Sequence, residues 1–97
     1  MKLESVLPSK APQKRYTAIF SDGEKRTKTV HFGSAAPSKA YIDHHDKAKR
    51  EAYLARHRIN ETWSKPTTPG SLARHLLWGE HTGIRENVAA FKRKFKV

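Results

Sequence analysis

Polar and apolar positions alternate with a period of two in two stretches near the start of the chain. From Lys14 to Phe20, the side chains of Tyr16, Ala18 and Phe20 fall on one side of an extended backbone, and from Thr27 to Phe32, Val30 alternates with His31. Alternation in segments rich in β-branched and aromatic residues predicts strands. Ser21-Asp22-Gly23-Glu24 lies between them and supplies turn residues, so the pair reads as an antiparallel hairpin. Ahead of it, residues 1–13 carry Pro8, Pro12, Ser5, Ser9 and Lys10 among scattered apolar side chains. That segment has too little to bury by itself, and the expectation is a flexible or partner-ordered arm.

After the linker Gly33–Ser38 the period lengthens to that of a helix. Asp43 is the expected cap of a helix from about His44 to Arg58, with Asp46 in its first turn. Ala48, Ala52, Ala55 and Ile59 form one stripe at helical spacing, small enough for another element to approach, with Tyr53 and Leu54 beside it. Residues 60–70 read as a loop that ends with Thr68 as a cap and Pro69 at the first position of a short apolar helix, Ser71–Trp78. Gly79 and Gly83 interrupt the pattern. Ile84, Val88, Phe91 and Phe95 then recur at steps of four, three and four, the clearest amphipathic helix in the chain.

These elements predict a small single-domain α+β fold over residues 14–97, its N-terminal β-hairpin packed against two to three helices, preceded by the extended N-terminal arm. The expected core comprises Tyr16, Ala18, Phe20, Val30, Phe32, Leu54, Trp63, Leu72, Leu76, Trp78, Val88 and Phe91.

Ninety-seven residues suffice for one modest core and not for the two lobes that usually frame a substrate cleft. Lys and Arg number 20 against 9 acidic residues, a formal charge of +11 that attracts polyanions. Nucleic acid, an anionic membrane surface or an acidic protein face would each satisfy it. The absence of cysteine removes disulfides and thiolate metal sites. The first residues lack the apolar stretch of a signal peptide, and no run approaches the roughly 18 apolar residues of a membrane span. The expectation is therefore a chain that is not transmembrane.

The usual signatures of catalysis are missing from the pattern. His44 and His45 are adjacent and point apart on a helix, while His57, His75 and His81 show no paired ligand spacing. His31 reads as a half-buried strand residue. Asp22 belongs to a turn, Asp43 and Asp46 to a helix start, and Glu51, Glu61, Glu80 and Glu86 lie apart, so no carboxylate pair suits acid–base work. There is no Gly-x-Ser-x-Gly elbow, and the five glycines build no phosphate-cradling loop. The sequence thus predicts a non-enzymatic protein with no catalytic residues, cofactor, metal or small-molecule substrate.

The basic residues carry the functional information. Lys47, Lys49, Arg50, Arg56 and Arg58, with His57, decorate the first helix; Arg85, Lys92, Arg93, Lys94 and Lys96 decorate the last. Together they are the candidate polyanion-binding residues, arranged as one continuous surface. A charge run on a helix is often only a solvated face, and the net charge of the whole chain is what favours contact with a polyanion. Trp63, Trp78 and Tyr53 suit base stacking, but their neighbours Leu54, Leu72, Leu76 and Leu77 fit a core better. Asn60, Glu61, Arg74 and Arg56 are candidates for a polar lattice around Trp63.

One ordered series of motifs is more specific than any of these features: Lys14-Arg15-Tyr16-Thr17-Ala18-Ile19-Phe20-Ser21-Asp22-Gly23, Thr29-Val30-His31-Phe32-Gly33, Tyr53-Leu54-Ala55-Arg56-His57-Arg58, Asn60-Glu61, Trp63, Pro66 and Leu76-Leu77-Trp78. Over roughly residues 14–78 it resembles a family of small basic proteins encoded by large double-stranded DNA viruses of algae and protists. The resemblance implies a viral origin and supplies no functional residues. It implies a place in the virion, and in the host cell interior during assembly. The expected role is a minor structural protein associated with the capsid, bridging capsid proteins through its arm and apolar helix edges and meeting acidic protein or membrane surfaces through its basic face. The alternative is a sequence-nonspecific nucleic-acid-binding protein, acting on a viral genome or as a ribosomal-type RNA binder.

Overall fold

A computed structural model describes residues 1–24, 26–35, 39–59 and 62–97. The chain folds as α+β, with a three-stranded antiparallel sheet followed by helices. The strands β1 (Lys2–Pro8), β2 (Lys14–Ser21) and β3 (Thr27–Ser34) lie in the order β1-β2-β3. The predicted hairpin is β2–β3, paired with Tyr16 opposite Phe32 and Ala18 opposite Val30. Its turn is held by the Asp22 carboxylate, whose Oδ1 accepts the Glu24 N–H at 2.8 Å and the Arg26 N–H at 3.3 Å.

The segment read as an arm is instead the third strand of the sheet. Leu3 pairs with Phe20 and Val6 with Ala18, with a shift of register between Leu3 and Ser5. In a regular strand, residues three apart point to opposite faces. The bulge brings both Leu3 and Val6 to the side of Phe20 and Ala18, so the segment acquires a buried face that simple alternation does not reveal. Leu3 is 3% exposed.

The first predicted helix is two. Helix α1 (Tyr41–His44) ends where His45 enters the left-handed region at φ 55°, and α2 (Lys47–His57) starts afresh. Asp46, not Asp43, caps α2: its Oδ1 accepts the N–H groups of Ala48 and Lys49 at 2.9 and 3.2 Å. Asp43 reaches back within α1 to the Ala40 N–H at 2.7 Å and grips Arg15 of β2 with both oxygens, at 2.5 and 2.6 Å. The hydrogen bond from Arg15 holds the Asp43 carboxyl down at about 2. This bidentate pair fastens α1 to the sheet.

Helix α2 is also turned relative to expectation. Ala48, Ala52, Ala55 and Ile59 are exposed, Ile59 by 85%, and Tyr53 is the buried residue. The large aromatic ring buries more apolar area than the alanines and decides the orientation. Thr68 and Pro69 open α3 (Pro69–Leu72) as the sequence predicts, with the Thr68 hydroxyl accepting the Ser71 N–H at 3.2 Å. The helix then widens into a π-helical segment, Ala73–Leu77, and α4 (Ile84–Phe95) follows.

Phe20, Phe32 and Ala18 of the sheet, Leu72, Leu76 and Leu77 of the middle helix, and Phe91 of α4 form one fully buried cluster. Tyr16, Trp78 and Val88 pack around it half-buried; Tyr53 and Leu77 are buried, and Tyr41 and Leu3 belong to the interior although the pattern left them out. Leu54 and Trp63 are half-buried outside this cluster. His31 is exposed rather than half-buried, with Nδ1 2.8 Å from the Thr17 hydroxyl.

The turn between the π-helical segment and α4 is organised by Asn87, 1% exposed. Its Nδ2 donates to the carbonyls of Leu76 and His81 at 3.0 and 2.8 Å, and its Oδ1 accepts the His81 N–H at 3.0 Å. A Cβ on Gly79 would meet the His75 carbonyl and lie 2.6 Å from Asn87 Oδ1, so only glycine fits there. Gly33, at φ +81°, is required for a second reason: a Cβ there would lie 2.6 Å from Leu77 Cδ1.

His75 Nδ1–H donates to the Ser71 carbonyl at 2.8 Å, and the ring stands edge-on to Phe95 at 5.1 Å. Burial pushes its pKa below the usual 6.5, with the charges of Arg74 and Lys94 acting in the same direction.

Two outcomes follow from this packing. Asn87→Ala leaves two carbonyls and an N–H without partners and is expected to lower stability by roughly 2–3 kcal/mol, read as a fall in the urea midpoint at unchanged slope. The folded state prefers neutral His75, so stability is full above pH 6.5 and declines as pH falls through that value toward the lower folded pKa. Thermal midpoints between pH 7.5 and 5 should show this decline in the wild type and a shallower one in His75→Gln.

Candidate polyanion-binding grooves

The π-helical segment places Trp78 at the junction of the helices. Its C-cap geometry and the bond from the Trp78 N–H to the Ala73 carbonyl, 3.1 Å, end the helix one residue later than an α-helix would. The carbonyls left at that end are taken up by cations. Arg50 Nε donates to Trp78 O and Gly79 O at 3.1 and 3.0 Å, and an Arg74 guanidinium N–H donates to Trp78 O at 3.2 Å. Arg50 is therefore not on the solvated face where its spacing put it: its side chain is 16% exposed and its guanidinium lies over the Tyr41 ring. Burial, followed by the neighbouring charge of Arg50, holds the Arg74 pKa below its ordinary value. Arg74 also sits over the Trp63 ring at 5.2 Å. Of the lattice expected around Trp63, Arg74 is in place and Arg56 lines a groove at Trp78 instead; Asn60 and Glu61 lie outside the described residues.

Tyr53 stacks flat on Trp78, ring centres 4.2 Å apart and planes 2° off parallel, and His57 stacks on Tyr53 at 4.2 Å. His44 meets Trp78 edge-on at 5.3 Å. The His44 Nδ1 accepts the Asp46 N–H at 2.9 Å, which leaves the ring proton on Nε2.

Two grooves flank this stack and share Lys39 and Trp78. The first, about 380 Å³, runs past Lys14, Arg15, Lys39, Tyr53, His57 and Trp78. The second, about 410 Å³, is bounded by Lys39, His44, Lys49, Ala52, Arg56 and Trp78. Both fall in the size range of small-ligand sites, about 300–1,000 Å³. Among the described residues neither is lined by a carboxylate. Arg15 is paired with Asp43, so Lys14, Lys39, Lys49 and Arg56 supply the field.

The second basic cluster is placed differently. Arg85 and Lys92 line a groove of about 450 Å³ against β1, together with Glu4, Val6 and Tyr16. Lys94 leans over Phe95 and lines a smaller groove with Arg74, His75, Glu80 and His81. Each of these grooves holds a carboxylate. Arg93 and Lys96 on or just after α4, and Lys47 and Arg58 on or beside α2, are exposed and line none of the four. Lys49 and Arg56 thus open on a different groove from Arg85 and Lys92, and the single continuous surface expected from the sequence is divided.

Lys39 and Lys14 are absent from the candidates that the sequence supplied. Lys39 follows the linker and Lys14 starts a strand, so neither belongs to a basic helical face; only their convergence on Trp78 marks them. Among the described residues no group of three His, Asp or Glu side chains is placed to hold a metal ion, and no helix is long and apolar enough to cross a membrane.

No curated protein and no solved structure matches the chain. A family model does match, over residues 4–57, which is 54 of the 97 residues and takes in the sheet from Glu4 onward, α1 and α2. With more than half of its length matched, the chain belongs to that family, a family of unknown function (DUF5754).

Proposed function

We propose that the protein is a non-enzymatic module that binds nucleic acid through its phosphates, at the grooves on either side of Trp78. The observation that carries this reading is the asymmetry of the basic residues. Lys14, Lys39, Lys49 and Arg56 converge on two grooves with no lining carboxylate, whereas Arg85, Lys92 and Lys94 of α4 share theirs with Glu4 or Glu80. A carboxylate beside a cation offsets its field and repels a phosphate, so the Trp78 grooves hold the stronger attraction for a polyanion. Charge and counterion release are enough for such binding and need no base-specific contact.

The shell-bridging role expected from the sequence used the arm together with apolar helix edges. Residues 2–8 of that arm form the edge strand β1, with Leu3 buried against the sheet. Nucleic-acid binding at the Trp78 grooves draws on no residue of β1.

Anisotropy of a labelled oligonucleotide, measured across a salt series, tests the reading. Wild-type protein should bind with a dissociation constant of about 10⁻⁴–10⁻⁶ M near physiological salt. The variant Lys39→Gln/Lys49→Gln/Arg56→Gln should bind at least about tenfold more weakly, with the slope of log affinity against log salt reduced by about two. Lys92→Gln/Arg93→Gln/Lys94→Gln/Lys96→Gln removes more charge and should cost less. The opposite ranking would move the binding surface to α4, and no binding by the wild type would remove the function.

A further inference from the structure

We propose that the two grooves accept an unpaired nucleotide and the phosphate next to it, so that the protein prefers single-stranded nucleic acid to duplex. This rests on the phosphate-binding reading above and adds a class of ligand to it. The evidence is the juxtaposition of an aromatic stack with cations on both sides. Trp78 is half-buried and lines both grooves, and Tyr53, stacked flat against it, fixes the plane of its ring. Lys39 stands where the grooves meet, and Lys49 and Arg56 lie in the second with Trp78.

The site therefore combines a rigid indole with three cations around it, and the first groove is concave and of single-ligand size. Single-strand binders need this combination: an aromatic surface for an unstacked base and a basic track for the backbone. In a duplex the bases are stacked on one another and only the phosphates and base edges are presented, so a duplex can engage the lysines but cannot lay a base on Trp78. The groove against β1 lacks the arrangement, since its cations share the groove with Glu4. An acidic polypeptide would satisfy the charges and leave the indole unused.

The experiment uses the full chain with three probes: a twelve-residue oligothymidylate, a hairpin duplex of the same charge, and polyglutamate. Affinity is read by competition anisotropy on the wild type. Trp78 emission is read in Trp63→Phe, which keeps a ring beneath Arg74 and leaves a single tryptophan. The expected result is that oligothymidylate binds about tenfold tighter than the hairpin at equal salt, the factor that one stacked base supplies, and quenches Trp78. Lys39→Gln, on an exposed residue, should weaken binding of the oligothymidylate and reduce the quenching at a given concentration. Equal affinity for all three probes with unmoved Trp78 emission would overturn the single-strand preference and leave polyanion binding standing. Tighter binding of polyglutamate would replace nucleic acid by an acidic protein as the partner, and failure of all three to bind would remove the reading on which the inference rests.

Discussion

The Trp78–Gly79 junction ties the molecule together. A widened helical turn ends there, and the carbonyls it leaves are answered from two directions, by Arg50 of α2 and by Arg74 of the turn itself. Asn87 of α4 closes the chain that follows, bonded to Leu76 on one side and His81 on the other. On the sheet side, Leu76 and Leu77 of the same segment pack into the cluster of Phe20 and Phe32. Buried polar groups demand partners, and here each partner comes from a different element, so satisfying them fixes how α2, the middle helix and α4 sit. Gly79 is the one residue small enough for the chain to pass between the His75 carbonyl and Asn87.

The binding surface is a consequence of that arrangement. Two arginines face inward to serve the junction, and Arg15 is bound to Asp43, so these cations are used in folding. What remains outside is sorted by the elements that carry it. Turning Tyr53 of α2 onto Trp78 puts Lys49 and Arg56 on the edge of the aromatic stack, and the Arg15–Asp43 pair holds α1 so that Lys39, just ahead of it, reaches the same place. The net charge of +11 is thus not spread evenly in effect, because the grooves of α4 are lined by Glu4 or Glu80, whereas no carboxylate lines those at Trp78 and Asp43, beside Lys39, is held by Arg15.

Much of the fold is legible in the sequence where one periodicity holds over a whole element. The hairpin follows from alternation about Asp22-Gly23, the last helix from the spacing of Ile84, Val88, Phe91 and Phe95, and the start of α3 from Thr68-Pro69. It fails where the period is broken by design of the backbone. A bulge after Leu3 hides the first strand, a left-handed His45 splits one helix into two, and the π-helical turn brings Leu76, Leu77 and Trp78 to positions that a 3.6-residue period does not reproduce. The alanine stripe of α2 misleads because small size permits close packing without supplying much area, and Tyr53 wins. The site was half legible for the same reason: Lys49 and Arg56 lie on a recognisable basic helix, whereas Lys14 and Lys39 join them only through tertiary structure, and Arg50 leaves the set because its guanidinium serves two carbonyls.

The central claim is one of place: a polyanion is held at Trp78 and not along α4. Amide and indole NMR spectra of the full chain, recorded through a titration with an unlabelled oligonucleotide, test it residue by residue. The account predicts that the Trp78 indole N–H and the amides around Lys39, Lys49 and Arg56 shift first and furthest, while Arg93, Lys94 and Lys96 respond weakly. Shifts concentrated on the last two turns of α4, with Trp78 unmoved, would contradict it.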